Sequence, residues 1–476
     1  MMASNMIASF VAAEPVTLGV AGAELINPAT GSLIGVVAEA GEEGVTAAVV
    51  SALSASRNQA KSSHGERAKL LLDAADALAA AAAEIAAIIC EDVGKPLRVC
   101  QVEVKRGVEF LRGTAAILGQ ASGEVLPVDL AAAGQGTFGF TLRVPYGIVA
   151  AITPFNAPVN LLVQKVAPAV AAGNAVIAKP HPSGLRTALR LAAIFVEAGW
   201  PSGLLNVLSG DRPTAAALVA HPDVSAVSFT GSTAGGAALA KIAGAKKFVA
   251  ELGSNAANIV FDDADLKSAA KKIAAASFEA SGQQCISAQR VIVHRSVLPA
   301  FTELFAAASR ELKVGHPAEA STDVGTMVSL QAAERVMAMV QNAADQGATL
   351  VLAPKREGAT VSPGILTNVP KPARLWQEEV FGPIAVIVGF DTDDEALDLA
   401  NDSPFGLQGA AFTSNLARAF RLAREFEVGS LWINEASRFR LDMYPFGGVK
   451  QSGVGREGLK YAVEEMSQVK FIGIRP

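Results

Sequence analysis

Cys285 lies in Ser281-Gly282-Gln283-Gln284-Cys285-Ile286-Ser287, and Glu251 in Glu251-Leu252-Gly253-Ser254-Asn255, thirty-four residues earlier. A lone thiol in a Gly/Gln/Ser loop, with a carboxylate on a separate Gly-ended segment, suggests a nucleophile and its base. Cysteine is the most nucleophilic common side chain, but only a few per cent is thiolate near neutral pH, so it needs activation. No cationic residue adjacent in sequence would lower the Cys285 pKa, which leaves Glu251, acting through water, to remove the proton. The competing reading is a buried structural cysteine, the commonest state of a free thiol. A cysteine-protease pairing would need a histidine near Cys285 in space, and His64, His181, His221, His294 and His316 fall in no recognisable Cys/His signature.

Other stretches carry parts that such chemistry would use. In Ile152-Thr153-Pro154-Phe155-Asn156-Ala157-Pro158 two prolines restrict the backbone on either side of Asn156. A fixed amide donor suits an oxyanion hole, although the same residues also read as a Pro-rich turn before a helix. Lys179-Pro180-His181-Pro182-Ser183 puts a lysine at a strand end, placed for ribose or phosphate or simply solvated. Phe229-Thr230-Gly231-Ser232-Thr233-Ala234-Gly235-Gly236 leads a strand into a Gly-rich helix start whose amides can take a phosphate. It is not the Gly-x-Gly-x-x-Gly fingerprint. Glu378-Glu379-Val380-Phe381-Gly382-Pro383 sets acids before a Gly-Pro turn, to hold a ribose or cap the turn, and Pro445–Gly453 reads by itself as a tight surface turn.

These segments must be positioned by regular elements. A Ser-x-x-Glu capping box at Ser63 to Glu66 opens the first strong helix, which is predicted to run to Cys90 and stop before Gly94-Lys95-Pro96. A second helix follows at Val102 to Leu118, and Gly123 to Arg143 reads as a hairpin with an edge suited to subunit pairing. From Gly147 onward, apolar runs at Ile148–Ile152, Ala175–Ala178, Leu205–Leu208, Ala226–Phe229 and Phe248–Leu252 alternate with helical segments. That alternation predicts a parallel sheet covered on both faces, with ligands beyond the carboxyl ends of its strands. It resumes at Asn258–Phe261, Val291–Val293, Thr349–Leu352, Ile384–Val388 and Gly429–Ile433, as a second α/β domain beginning near Glu251 to Asn255.

Composition narrows the classes. At 476 residues the chain exceeds one typical core. It is 51% apolar with a net charge of −5, which predicts a globular protein with no nucleic-acid footprint. The greasiest stretch, Leu78 to Cys90, contains Glu84 and is too short to span a bilayer. Met1 to Phe10 lacks the basic start of a signal peptide. Three cysteines, Cys90, Cys100 and Cys285, fit neither a disulfide framework nor a zinc motif. A reduced, cytoplasmic protein without bound metal is the expectation.

Taken in order, Thr153–Pro158, Lys179-Pro180, Phe229–Gly236, Glu251-Leu252-Gly253, Gly282–Cys285, Glu379–Pro383 and Pro445–Gly453 resemble the aldehyde dehydrogenase superfamily across nearly the whole chain. The resemblance implies an α/β fold with a Rossmann-type cofactor domain (1–122 and 144–252), an α/β catalytic domain (253–446) and a small β oligomerisation element (123–143 and 467–476). It implies Cys285 as nucleophile, Asn156 with the Cys285 N–H as oxyanion hole, and Glu251 as the base that activates water. Glu251 also argues against the acylating, coenzyme-A-dependent branch. The cofactor is expected to be NAD or NADP, held by Ile152, Thr153, Pro154, Phe155, Lys179, His181, Ser183, Phe229, Thr230, Gly231, Ser232, Leu252, Gly253, Glu379 and Phe381. Pro182 stands where NAD-preferring members often carry glutamate, so the resemblance implies that a 2′-phosphate is not repelled, with His181 or Ser183 as its expected contact.

Substrate choice is expected at Arg106, Asn160 to Gln164, Gln284, Ile286 and Asn434–Asp442, with Arg438 and Arg440 positioned to grip an anionic tail. The stretch looks like the branch of lactaldehyde, phosphonoacetaldehyde, sulfolactaldehyde and semialdehyde dehydrogenases. The plainer reading leaves both arginines solvated or paired with Asp442 and Glu435. A small aldehyde is the expected partner, and a homodimer or homotetramer the expected assembly. A silent binding protein of the same fold and a thiol esterase remain the alternatives.

Overall fold

The computed structural model describes residues 6–120 and 122–475. Half of the Met1 to Phe10 stretch read for a signal peptide therefore lies outside the described residues. Two large sheets organise the rest. The first has a parallel core of Ile148–Thr153, Ala175–Pro180, Leu205–Val207, Ala226–Thr230 and Lys247–Glu251. Counted along the chain their spatial order is 5-4-1-2-3, so the direction of winding reverses beside the first strand. Ligands of open α/β sheets sit at such a reversal, outside the strands' carboxyl ends. Every residue of Ile148–Thr153 and Ala175–Pro180 is buried, as expected where helices cover both faces.

The edges of this sheet come from distant segments. Ser9–Val11 and Glu14–Val16 close one side antiparallel. Gly453–Val454 closes the other, pairing Gly453 with Glu251. The C-terminal region thus returns to the first sheet after the second is complete. That second sheet has seven strands in the order Thr349–Leu352, Gly364–Thr367, Ile384–Phe390, Arg290–His294, Ala257–Val260, Gln408–Phe412 and Ser430–Ile433, with only Thr349–Leu352 antiparallel.

The helical expectations needed two corrections. A 19-residue helix, Gly41–Gln59, precedes the one at Ser63. Its Ala40 N-cap makes no side-chain hydrogen bond, so the start signal was missing from the sequence. The capping box at Ser63 and Glu66 forms, but the run breaks at Ala81 into His64–Ala80 and Ala82–Val93. Within an unbroken alanine tract nothing in residue type marks that break. The second helix ends at Gly94, left-handed at φ 74°, a conformation that glycine adopts without strain.

The stretch from Gly123 to Arg143 is a hairpin only at its ends. Val125–Leu126 pairs with Phe138–Pro145 across two short 3-10 turns. The longer pairing is with the C-terminal strand Ser467–Ile474, which matches Phe138–Pro145 residue for residue. Phe138, Leu142, Val469, Phe471 and Ile474 of this three-stranded sheet are exposed. Among the described residues no helix is long and apolar enough to cross a membrane.

Candidate active site

Glu251 is the last residue of its strand, paired with Thr230 on one side and Gly453 on the other, and is 2% exposed. Cys285 reaches the same point by an unusual route. Ala280, Ser281 and Gly282 take successive φ values of 52°, 56° and 64°, a left-handed turn that costs the two non-glycine residues about 1–2 kcal/mol each. The turn is locked from outside: Ser281 Oγ donates to the carbonyls of Gly325 and Thr326 at 3.0 and 3.2 Å. A Cβ at position 282 would lie 2.2 Å from the Gly382 carbonyl oxygen, so only glycine fits there. Strain held this firmly next to a thiol is a mark of a functional site.

Cys285 is partly exposed at a cavity of about 440 Å3, which Asn156 also lines. Asn156 Nδ2 donates to the Gln283 carbonyl at 2.9 Å, which orients the amide toward the nucleophile loop. Glu103 and Lys95 hold Asn156 from behind. Lys95 Nζ donates to the Asn156 carbonyl at 3.2 Å and is ion-paired with Glu103, while Glu103 Oε1 accepts the Val159 and Asn160 amides at 2.8 and 3.2 Å. Glu103 is therefore the N-terminal cap of the helix Pro158–Ala171, supplied from another helix. Sequence reasoning missed this buried pair; the Gly94-Lys95-Pro96 break was noted only as a helix end.

Burial pushes the Glu251 carboxyl up to about 7, aided by repulsion from Glu457; Cys285, Arg440 and Lys165 pull the other way. The thiol lies close enough to act on Glu251, yet neither buried carboxylate oxygen receives a hydrogen bond of full geometry. Burial also raises the Cys285 thiol well above its ordinary value, reinforced by Glu251, and Arg440 opposes the rise. The cation absent from the local sequence is thus supplied from 155 residues downstream. Lys165 and Glu457, both buried, were missed because neither stands in a recognisable motif.

The residues expected at the cofactor line the carboxyl ends of the first sheet. Ile152 and Thr153 pair with Lys179 and Pro180. Beyond them Phe155 makes edge contacts with His181 at 5.3 Å and Phe381 at 5.8 Å. Lys179 Nζ donates to the Gly210 carbonyl at 2.9 Å, and burial lowers it to about 8. His181 is pushed down to about 4 by burial and then by Lys179, so it is neutral at pH 7 and brings no charge to a 2′-phosphate. Its Nδ1 accepts the Ser183 amide, which commits that amide locally. Phe229 and Thr230 end their strand, and after Gly231 the Ser232 hydroxyl caps the helix Thr233–Ala243. Past Leu252, a Cβ on Gly253 would sit 3.1 Å from Glu379 Oε2, and Glu379 Oε1 accepts the Ser254 amide at 3.0 Å. The buried Thr230 hydroxyl has no partner. An open helix start, a glycine-floored cleft and an unused hydroxyl fit a dinucleotide.

On the other side of Cys285, Arg106, Asn160, Gln284, Ile286, Arg438 and Arg440 all line the cavity. One of the expected ion pairs is present, Arg440 Nε with Asp442 at 3.9 Å, but the shorter contacts are different ones. Arg438 pairs with Glu279 and donates to Gln284 Oε1 at 2.8 Å; Arg440 pairs with Glu457 at 3.0 Å; Arg106 takes Asp442, and Lys272 takes Glu435. Glu279 and Glu457 stand 159 and 17 residues from their arginines, so adjacency did not point to them. The Arg440 side chain is only 6% exposed, whereas Arg438 is 24% and Arg106 27% exposed.

The model of the aldehyde dehydrogenase family matches residues 19–472. The chain belongs to that family. It is 42% identical over 450 residues to a 3-sulfolactaldehyde dehydrogenase of Priestia aryabhattai, covering 94% of each chain. Its fold is similar to aldehyde dehydrogenase 21 of Physcomitrella patens, solved in complex with the reaction product succinate, with a TM-score of 0.94, 32% identity and coverage of 99% and 98%. It is likewise similar to a glyceraldehyde-3-phosphate dehydrogenase of Methanocaldococcus jannaschii complexed with NADP, with a TM-score of 0.92, 36% identity and coverage of 96% and 99%. The protein is an NAD(P)-dependent aldehyde dehydrogenase.

Proposed function

We propose that this aldehyde dehydrogenase oxidises a small aldehyde with an anionic tail to the carboxylic acid. One observation carries the reading: the cavity that ends on Cys285 and Asn156 is lined by five cationic side chains, Lys95, Arg106, Lys272, Arg438 and Arg440, against two acidic ones, Glu103 and Glu435. The other acids stand behind the wall. Arg438 and Arg106, a quarter exposed, keep guanidinium hydrogens for a carboxylate, sulfonate or phosphate. The relatives support this class, since the Priestia enzyme is named for sulfolactaldehyde and the Physcomitrella structure holds succinate.

In the mechanism, Cys285 Sγ attacks the aldehyde carbon and forms a thiohemiacetal. Asn156 Nδ2 and the Cys285 amide receive the developing oxyanion. NAD or NADP would supply the hydride acceptor when bound; Lys179 and Glu379 would hold its riboses, Ser232 its pyrophosphate and Phe381 its nicotinamide. Glu251 then takes a proton from water as it attacks the thioester, freeing the acid and the thiol. Dividing oxidation from hydrolysis replaces one hard step by two easier ones. The exposed sheet of Phe138–Pro145 and Ser467–Ile474 supports assembly into a dimer or tetramer, and three unpaired cysteines suit a cytoplasmic setting.

The test compares succinate semialdehyde with butanal, each with NAD and with NADP. The expected kcat/KM for the anionic substrate is at least about ten-fold higher, and Arg438→Ala with Arg106→Ala removes most of that preference. Equal values for both aldehydes, unchanged in the variants, would overturn the anionic assignment.

A further inference from the structure

The buried charges beside Cys285 do not sum to zero. Lys165, 1% exposed, donates from Nζ to Glu457 Oε1 at 3.1 Å, and Arg440 donates from Nη2 to Glu457 Oε2 at 3.0 Å. Two cations share one carboxylate. Asp442 lies 3.9 Å from Arg440 Nε but is already engaged by both donors of Arg106. Glu379, the other acid that acts on the thiol, is engaged by the Ser254 amide and pushed up to about 8 by burial and by repulsion from Glu251. The cluster therefore carries an excess of one positive charge. Arg440 is fixed by the Phe446 ring, 3.6 Å from its guanidinium carbon, and by Gln164 at 3.2 Å, yet its Nε is buried without a hydrogen-bond partner. Both Glu251 oxygens are also buried and unpartnered. Buried charges persist when balanced, and the Cys285–Glu251 pair, on which Arg440 acts, can supply the missing anion.

We propose that Arg440 is a positioning residue that balances one negative charge shared between Cys285 and Glu251. The proposal rests on the reading of Cys285 as nucleophile and Glu251 as base. When the thiol is activated, its S–H bond breaks and an O–H bond forms on Glu251, and the pair keeps a charge of −1 throughout. The thiolate then bonds to the aldehyde carbon and its charge passes to the oxyanion; loss of hydride, for which bound NAD or NADP would be the acceptor, would leave a neutral thioester beside protonated Glu251. The uncompensated cluster now favours loss of that proton to solvent, which restores the carboxylate needed to deprotonate the hydrolytic water. Arg440 serves both halves of the reaction through its charge on Cys285 and Glu251. Its influence on Glu251 and Cys285 in the resting enzyme runs in the required direction.

The test is the pH profile of Cys285 alkylation by iodoacetamide in the full-length enzyme, with thermal melts of each variant. Arg440→Met leaves Lys165 and Glu457 as a neutral pair. It is expected to slow alkylation at pH 7 about ten-fold and to move the midpoint up by about one pH unit, with Arg440→Lys restoring most of the rate. Glu457→Gln makes the cluster more positive and is expected to move the midpoint down; it carries the test if Arg440→Met does not fold. A profile unchanged by Arg440→Met in a protein that melts normally, or an upward shift in Glu457→Gln, overturns the role of Arg440. Alkylation of Cys285 that leaves dehydrogenase activity intact overturns the nucleophile assignment, and this proposal with it.

Discussion

The two sides of Cys285 are built differently. On the side proposed for the cofactor, polar groups are held by backbone: Lys179 by the Gly210 carbonyl, Glu379 by the Ser254 amide, Ser232 by the Gly235 amide. On the substrate side, side chains hold side chains across long intervals, as Arg106 with Asp442, Lys165 with Glu457 and Arg438 with Glu279. A backbone partner is present whatever residue supplies it, so that side depends on strand ends and glycines. A side-chain partner disappears with one substitution. The side proposed for the cofactor is thus robust to change, and the side proposed for the substrate is open to retuning of its charge.

The largest expected effect lies between the two sides. Cys285→Ser should lower oxidation by at least about a thousand-fold. Glu251→Gln should lower steady-state turnover by about 10²–10⁴-fold while keeping a first-turnover burst of reduced cofactor. Because burial and Glu457 raise Glu251 to about 7, the base form grows as pH rises through neutrality, and wild-type kcat should rise with it. A kcat–pH profile of Glu251→Gln that retains this limb would assign it to another group.

Next is the support of Asn156. Glu103→Ala leaves Lys95 buried without a counter-charge and uncaps Pro158–Ala171, so a loss of about 3–5 kcal/mol is expected in urea unfolding. A loss below about 1 kcal/mol would mean that water replaces the carboxylate.

The independence of the two sides has its own test. Lys179→Met should raise the KM for NAD or NADP about ten-fold, the value of roughly one charge-assisted hydrogen bond. The kcat/KM ratio of succinate semialdehyde to butanal should stay constant. If that ratio moves with Lys179→Met, the halves are coupled and the contrast fails.

The smallest effect is on how stability varies with pH. Burial, then repulsion from Glu251, raises Glu379 to about 8 against the opposing Ser254 amide. The folded state then binds more protons than the unfolded one between its ordinary carboxylate value and about pH 8, and stability falls as pH rises through that window. Glu379→Gln removes the decline, so the Tm difference, variant minus wild type, should grow from pH 5 to pH 8. A constant difference would place Glu379 in contact with solvent.

The parallel strands carrying Thr153, Lys179, Thr230 and Glu251 were legible because uninterrupted apolar runs end on polar or glycine residues, and a buried strand leaves no other pattern. The helix Gly41–Gln59 was not, since its start lacks a side-chain cap. The left-handed turn at Ala280 and Ser281 was hidden for another reason: neither residue type favours positive φ, and distant carbonyls at Gly325 and Thr326 impose it.

By itself the sequence determined the order of the chemical groups and the α/β alternation that brings Asn156, Lys179, Ser232 and Glu251 to the carboxyl ends of one sheet. Periodicity and strand-end residues are local properties, so they can be read along the chain. Only the tertiary structure decided which acid answers each arginine and that Arg440 stands beside the thiol. Charge pairing depends on distance in space and on burial, and neither is written in sequence separation.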